Sequence, residues 1–278
     1  MDEKAFVDGR LVDAGQACIP YGDYGLSYGY GVFETIRITG GKPFMLKAHL
    51  ERISASMKEL RFPLKPTLNE LMEGVDKIIQ VNGRDDGYLK ITVTYGSDTE
   101  RLAFNPTKNT VFMETGPLPD YTKQVREGVS LTVSSVQRNP YNPSCGHKTL
   151  NYLDNVLAKQ EAREKGFFDA ILLDTKGRVS EASTANIFFL KDGVLTTPPL
   201  EAGCLPGITR GLVMDIASEA GMRVVEEHVH PKDFSHFSEA FITNTAFGLL
   251  PVAGIDETRF GDGHPGPAAL ALREAYFH

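Results

Sequence analysis

The chain has 278 residues, enough for one large domain or two modest ones and for a core that needs no disulfide or metal staple. Hydrophobic residues make up 41% and charged residues 23%, which excludes a disordered or collagen-like chain. With 29 basic and 36 acidic residues the formal charge is -7, which argues against a broad nucleic-acid surface, and no apolar run approaches the roughly 18 residues of a membrane span.

Taken in chain order, Ala5-Phe6-Val7 and Arg10-Leu11-Val12 flank Asp8-Gly9, which predicts a hairpin. The opening segment has acids and no apolar h-region, so no secretory signal is expected. A Gly- and Tyr-rich loop from Ile19 to Gly31 leads into a strand from Val32 to Ile38. On that strand Phe33, Thr35 and Arg37 share one face, and Glu34, Ile36 and Ile38 share the other. Helices are predicted over about residues 47–61 and 67–82, with stripes Leu50/Ile53/Met57/Leu60 and Leu68/Leu71/Val75/Ile79. Strands at roughly 87–95 and 109–115 complete a small α+β unit.

Gly116-Pro117-Leu118-Pro119 reads as the boundary, giving a small domain over 1–117, a connection and first strand over 118–136, and a larger domain over 137–278. Beyond it come a strand from Val129 to Val136 and a proline loop at 139–143. A helix over about 150–165 follows, with Leu150, Leu153, Leu157 and Ala158 on one face. The stretch 170–174 is a strand, and 179–186 reads as a polar connection. A hairpin is expected around Lys191-Asp192, then a helix near 207–220, a helical segment near 231–236, and strands near 223–228 and 239–243. The fold class is α+β in two lobes, without a βαβ repeat.

Several short motifs fail on context. Gly25-Leu26-Ser27-Tyr28-Gly29 is a literal G-x-S-x-G, but the predicted order is loop then strand, not the strand-to-helix turn of a nucleophile elbow. His228 and His230 share a strand face without a third ligand at recognisable spacing, so no metal site is expected. Cys18, Cys145 and Cys204 have no CxxC spacing and fit a reduced cytoplasm. More telling is a dispersed set: Lys148 between the proline loop and a helix, Glu181 and Asn186 between two apolar strands, and the run Leu205 to Arg210. That run opens a helix with Gly at its entrance, where free N–H groups suit a phosphate.

The ordered motifs SYGYGVFETIR, HLERI, HKTLNYLDNVLAKQEA, VSEASTANIF, LPGITR and TNTAFGLLPV resemble the class IV aminotransferases, pyridoxal-phosphate enzymes of fold type IV, from about residue 20 to residue 256. The resemblance implies a two-lobed fold, a small N-terminal α/β lobe and a larger C-terminal one, with cofactor and substrate in the cleft between them. It also implies a homodimer whose substrates are an amino acid and a keto acid, with no nucleic acid or membrane. By position, Lys148 matches the Schiff-base lysine, and Glu181 the carboxylate on the pyridine nitrogen. Arg52 matches the phosphate arginine, Ile208 and Thr209 the helix-start donors, and Thr245 a further phosphate hydroxyl. Thr184 and Leu205 resemble residues beside the ring, and Tyr152 a tyrosine on the phenolic oxygen.

Substrate choice rests on Tyr28, Phe33, Thr35, Arg37 and Tyr95. Branched-chain members usually read FEGIR where this chain has FETIR, so Thr35 points to the D-amino acid and lyase branches. The expectation is a D-amino acid donor with 2-oxoglutarate or pyruvate as acceptor. The alternatives are an aminodeoxychorismate lyase and a branched-chain or amine transaminase. D-amino acid enzymes grip the substrate carboxylate with an arginine and a histidine, but here Tyr95 stands at the arginine's place and no histidine follows. Arg37 is therefore the expected carboxylate ligand, with Arg101 and Arg138 as the other candidates.

Overall fold

Alternation of apolar and polar side chains builds the first sheet, as expected from period-two patterning. In the computed structural model, residues 3–63, 66–98, 103–106 and 108–277 are described. The hairpin forms as β1 (Lys4–Val7) against β2 (Arg10–Asp13). The tyrosine-rich loop is partly helical instead: α1 (Tyr24–Tyr28) is a single turn, because the buried Asp23 carboxylate accepts the Gly25 N–H at 2.7 Å. Ser27 lies exposed on that turn. Next come β3 (Gly31–Thr39) and the short β4 (Lys42–Pro43). β3 buries Val32, Glu34, Ile36 and Ile38 and leaves Phe33, Thr35 and Arg37 half-buried on its other face, as expected.

α2 (Leu46–Glu59) buries Leu50, Ile53 and Met57. α3 (Leu68–Asn82) starts at a Thr67/Glu70 capping box. Its buried stripe is Leu71, Gly74, Val75 and Ile78, so the expected Leu71 and Val75 are buried, while Leu68 is 41% exposed. Gly74 accounts for the rotation: it abuts Met113 and Phe6, so the helix rolls its smallest residue onto the sheet. β5 (Gly87–Thr94) and β6 (Val111–Gly116) complete a six-stranded sheet in the order β2-β1-β6-β5-β3-β4.

The second unit starts with α4 (Thr122–Glu127), a helix without an expected counterpart, and β7 (Val129–Arg138). α5 (Leu153–Glu164) begins later than expected and buries Asn155, Ala158 and Ala162. Leu153 and Leu157, expected on the buried face, are 66% and 45% exposed. Small residues face β7 and β8, so the helix packs close and its leucines turn outward. β8 (Asp169–Asp174) is followed by β9 (Val179–Ala182), a strand where a connection was expected. All four residues of β9 are buried: Glu181 is hydrogen-bonded through its carboxylate, while the Ser180 hydroxyl has no hydrogen-bond partner among the described residues.

The hairpin at Lys191-Asp192 joins β10 (Asn186–Lys191) to β11 (Val194–Thr197). α6 (Ile208–Glu219), β12 (Arg223–Glu226) and β13 (Glu239–Asn244) follow at their expected places, and Pro231–His236 is a 3-10 turn. β14 (Gly248–Ile255), β15 (Thr258–Arg259) and α7 (Pro267–Phe277) have no predicted counterpart. The nine strands run β12-β11-β10-β13-β14-β7-β8-β9, with β15 on β14. Phe189, Ile187 and Ile242 lie in the core of this unit.

The chain divides into one unit of Met1–Pro119 with His147–Asn151 and another of Asp120–Gly146 with Tyr152–His278. The segment His147–Asn151 thus leaves the expected 137–278 domain. It pairs with the first half of β3, where Phe33 N–H donates to Lys148 O at 2.8 Å and Leu150 N–H to Gly31 O at 2.9 Å. Gly31 is needed there, since a Cβ would lie 2.5 Å from Leu150 Cδ1. No helix among the described residues is long and apolar enough to cross a membrane.

Glu161 ties α5 to β7. Hydrogen bonds from Lys165, Ser134 and Ser135 hold its carboxyl down to about 2. A depressed carboxyl contributes stability above its unfolded value, lost as pH falls through the folded one. Chemical denaturation should therefore show stability falling between about pH 4.5 and pH 2. Glu161→Gln should be less stable than wild type at pH 7 and show a flatter acid slope.

Candidate active site

In the first unit the backbone pairing just described sets the position of Lys148. Its ammonium lies 4.6 Å from the centroid of the Phe33 ring, a cation–π contact. Thr35 and Arg37 share that sheet face. Arg37 Nε donates to Thr39 Oγ1 at 3.3 Å. Lys90, which sequence reasoning missed, faces Thr35 across the β3–β5 ladder and sits 5.6 Å from the same Phe33 ring, 3.8 Å from Glu114. Strand alternation was the signal that could have found it.

Arg52 is built into a buried charge network. Its Nε and Nη2 donate to Glu34 Oε1 and Oε2, both at 2.7 Å, and His49 Nδ1 lies 2.7 Å from Oε2. Glu34 is 1% exposed. Burial alone would raise its carboxyl, but the bonds to His49 and Arg52 hold it below its ordinary value. The FETIR and HLERI motifs thus meet in one ion-pair cluster.

Two expected substrate residues differ from each other. Tyr28 is exposed, edge-on to Tyr24. Tyr95 is only 4% exposed and stacks between Tyr24 and Tyr30, its hydroxyl donating to Phe104 O at 3.2 Å. Tyr95 extends an aromatic cluster. Arg101 lies outside the described residues.

In the second unit Glu181 is 8% exposed. Arg138 Nη2 donates to its Oε1 at 3.2 Å, and the Leu205 N–H to its Oε2 at 3.0 Å. That pairing engages the Arg138 guanidinium. Tyr152 donates to Ser183 O at 3.4 Å, and burial, with the Glu181 charge adding, pushes its phenol up. Thr184 Oγ1 donates to the buried Asp169 at 2.9 Å, and Ser183 Oγ bonds the same carboxylate. Asp169 had no sequence signal.

Asn186 organises the helix start. Its Nδ2 donates to Leu205 O at 2.9 Å and reaches Glu181 Oε2 at 3.5 Å. A Cβ on Gly207 would lie 2.0 Å from Asn186 Oδ1. Gly207 caps α6 without a side-chain acceptor, so the first-turn amides of Ile208 and Thr209 have no side-chain cap. Thr243, opposite Asn186 on β13, is 1% exposed and its hydroxyl has no hydrogen-bond partner among the described residues. Thr245 is half-buried in the β13–β14 turn. Two of the thiols are poor nucleophiles: burial pushes Cys204 up to about 12 and also raises Cys145. His228 instead contacts Arg178 and Glu201, and no metal-binding group occurs among the described residues.

The first unit holds a lysine beside an aromatic ring; the second holds a buried carboxylate bonded to an arginine, and an uncapped helix start. The family model for amino-transferase class IV matches residues 31–255, and the chain belongs to that family. It is 38% identical, over 98% of this chain and 95% of its relative, to a putative branched-chain-amino-acid aminotransferase of Methanocaldococcus jannaschii. It is 32% identical, over 98% and 95%, to a D-alanine aminotransferase of Bacillus licheniformis. The branched-chain amino acid aminotransferase of T.th., solved with pyridoxamine 5'-phosphate, superposes with a TM-score of 0.91 at 32% identity, covering 100% of this chain and 93% of that one.

The chain is a PLP-dependent transaminase, and its residues fit that cofactor. The uncapped α6 start suits a phosphate dianion, and an ionised carboxylate suits a protonated pyridine nitrogen. Gly207→Ala should push Asn186 away and with it Leu205 and Glu181. Titration of the apoprotein with pyridoxal phosphate should show at least tenfold weaker binding, which corresponds to about 1.4 kcal/mol.

Proposed function

We propose that this aminotransferase takes branched-chain aliphatic L-amino acids as donors and 2-oxoglutarate as acceptor. The observation that carries the reading is Tyr95: at the place where D-amino acid enzymes carry an arginine, this chain has a tyrosine locked in an aromatic stack. The 38% identity to the archaeal branched-chain relative supports it. A D-amino acid donor is the second reading, favoured by Thr35 in FETIR and by the D-alanine aminotransferase relative.

The roles follow from the residues. Lys148 would hold the cofactor by its Nζ and would carry the proton taken from the substrate Cα. When bound, the cofactor supplies an electron sink for the charge left at Cα. Glu181 keeps the pyridine nitrogen protonated, and Arg138 compensates Glu181 for its burial. Arg52, the Ile208 and Thr209 amides and the Thr245 hydroxyl hold the phosphate. Thr184 and Leu205 pack beside the ring, and Tyr152 donates to the phenolic oxygen. Tyr28, Phe33 and Thr35 line the substrate side. The exposed Leu153, Val156 and Leu157 of α5 support a homodimer.

A half-reaction panel of L-valine, L-isoleucine, L-leucine and D-alanine, followed by cofactor absorbance, tests the donor. The L-aliphatic donors should react at least tenfold faster than D-alanine, and the reverse order selects the second reading. Lys148→Ala should abolish both the reaction and the borohydride-trapped lysine adduct.

Arg37 is assigned to the substrate carboxylate, since a carboxylate entering a partly apolar site needs a charged donor. Arg37→Lys keeps the charge and loses the fork. The half-reaction should weaken for amino acids and much less for amines without a carboxylate. Equal losses for both would remove Arg37 from this role.

A further inference from the structure

The turn between β13 and β14 carries Thr245, and one side chain organises it from within. Asn244 Oδ1 accepts the N–H of Ala246 at 2.9 Å and that of Phe247 at 3.1 Å. Its Nδ2 donates to Thr184 O at 3.1 Å. A single amide group therefore stitches the turn to itself and to the end of the β9–β10 connection. Backbone strand pairing does not reach there: the β13–β14 ladder ends at Asn244 opposite Gly248, and the β10–β13 ladder ends at Asn186 opposite Thr243. Beyond those pairs the Asn244 amide joins Thr184 to the Thr245 turn. Both ends of that link carry residues assigned above to the cofactor.

We infer that Asn244 is a positioning residue for cofactor binding, holding the Thr245 hydroxyl in register by clamping its turn to Thr184. The inference rests on the reading of Thr245 as a phosphate ligand. Its physical basis is that a hydroxyl on a three-residue turn recognises an anion only if the turn holds one conformation. The half-buried position of Asn244 makes substitution there compatible with folding.

The test is titration of apoprotein with pyridoxal phosphate for wild type, Asn244→Ala, Asn244→Ser, Thr245→Val and the Asn244→Ala/Thr245→Val double variant, with apoprotein melting temperature as a second measurement. Asn244→Ala should weaken binding roughly tenfold while apoprotein melting stays within a few degrees, since the clamp amounts to about one net hydrogen bond. Asn244→Ser should fall between, because a hydroxyl can accept the N–H two residues on. The double variant should be no weaker than the worse single one, since the two losses share one contact. If Thr245→Val leaves affinity unchanged, the Thr245 reading fails and the inference with it. If Thr245→Val weakens binding but Asn244→Ala does not, the inference alone is overturned. Additive losses, tighter binding on removing Asn244, or a large fall in apoprotein melting would equally overturn it.

Discussion

Everything at the lysine depends on two main-chain hydrogen bonds, Phe33 N–H to Lys148 O and Leu150 N–H to Gly31 O. Lysine has a flexible four-carbon stem, so its nucleophile is only as well placed as its backbone. Pairing with β3 gives that backbone the rigidity of a sheet. His147 adds a tether, its Nδ1 lying 3.1 Å from Ser56 Oγ on α2. The same strand aligns the Phe33 ring with the ammonium, so one element both anchors and faces the lysine.

The second constraint is charge. Glu34, Asp169 and Glu181 are each nearly excluded from water, and an uncompensated carboxylate there would strongly destabilise the fold. Each has a different answer. Glu34 meets the Arg52 fork and His49; Asp169 meets two hydroxyls, its neighbour's amide and Lys159; Glu181 meets Arg138 and the Leu205 amide. The consequences differ too. At Asp169 the compensation fixes Ser183 and Thr184, whereas at Glu181 it keeps available a negative charge suited to a pyridinium partner. Asn155, donating to Ser183 O at 2.6 Å, and Asn186, reaching Glu181 and Leu205, extend these networks without adding charge.

Most of the first unit was legible because its pattern is local. The burial of Glu34, Ile36 and Ile38 against Phe33, Thr35 and Arg37 follows from period-two alternation alone. α6 was legible from Gly207 and the apolar run after it. The Lys148, Glu181 and Ile208–Thr209 roles rested on ordered motifs, which carry information that no single periodicity holds. The misses share a cause: each depended on a partner distant in sequence. α5 buries alanines instead of leucines because β7 and β8 approach closely. β9 is a strand because its backbone pairs with β8.

By itself the sequence determined the fold class and the family, since these rest on residue type and order, and it nominated the residues proposed for the cofactor. The tertiary structure alone decided where charges and hydroxyls end up. Arg138 could not be assigned to Glu181, 43 residues away, from any spacing, nor Thr184 to Asp169, nor Asn244 to Thr184. It also placed Tyr95 in a stack with Tyr24 and Tyr30, which buries the ring. Hydrogen bonds act over about 3 Å of space with no regard for distance along the chain, so only the folded backbone could reveal these partners.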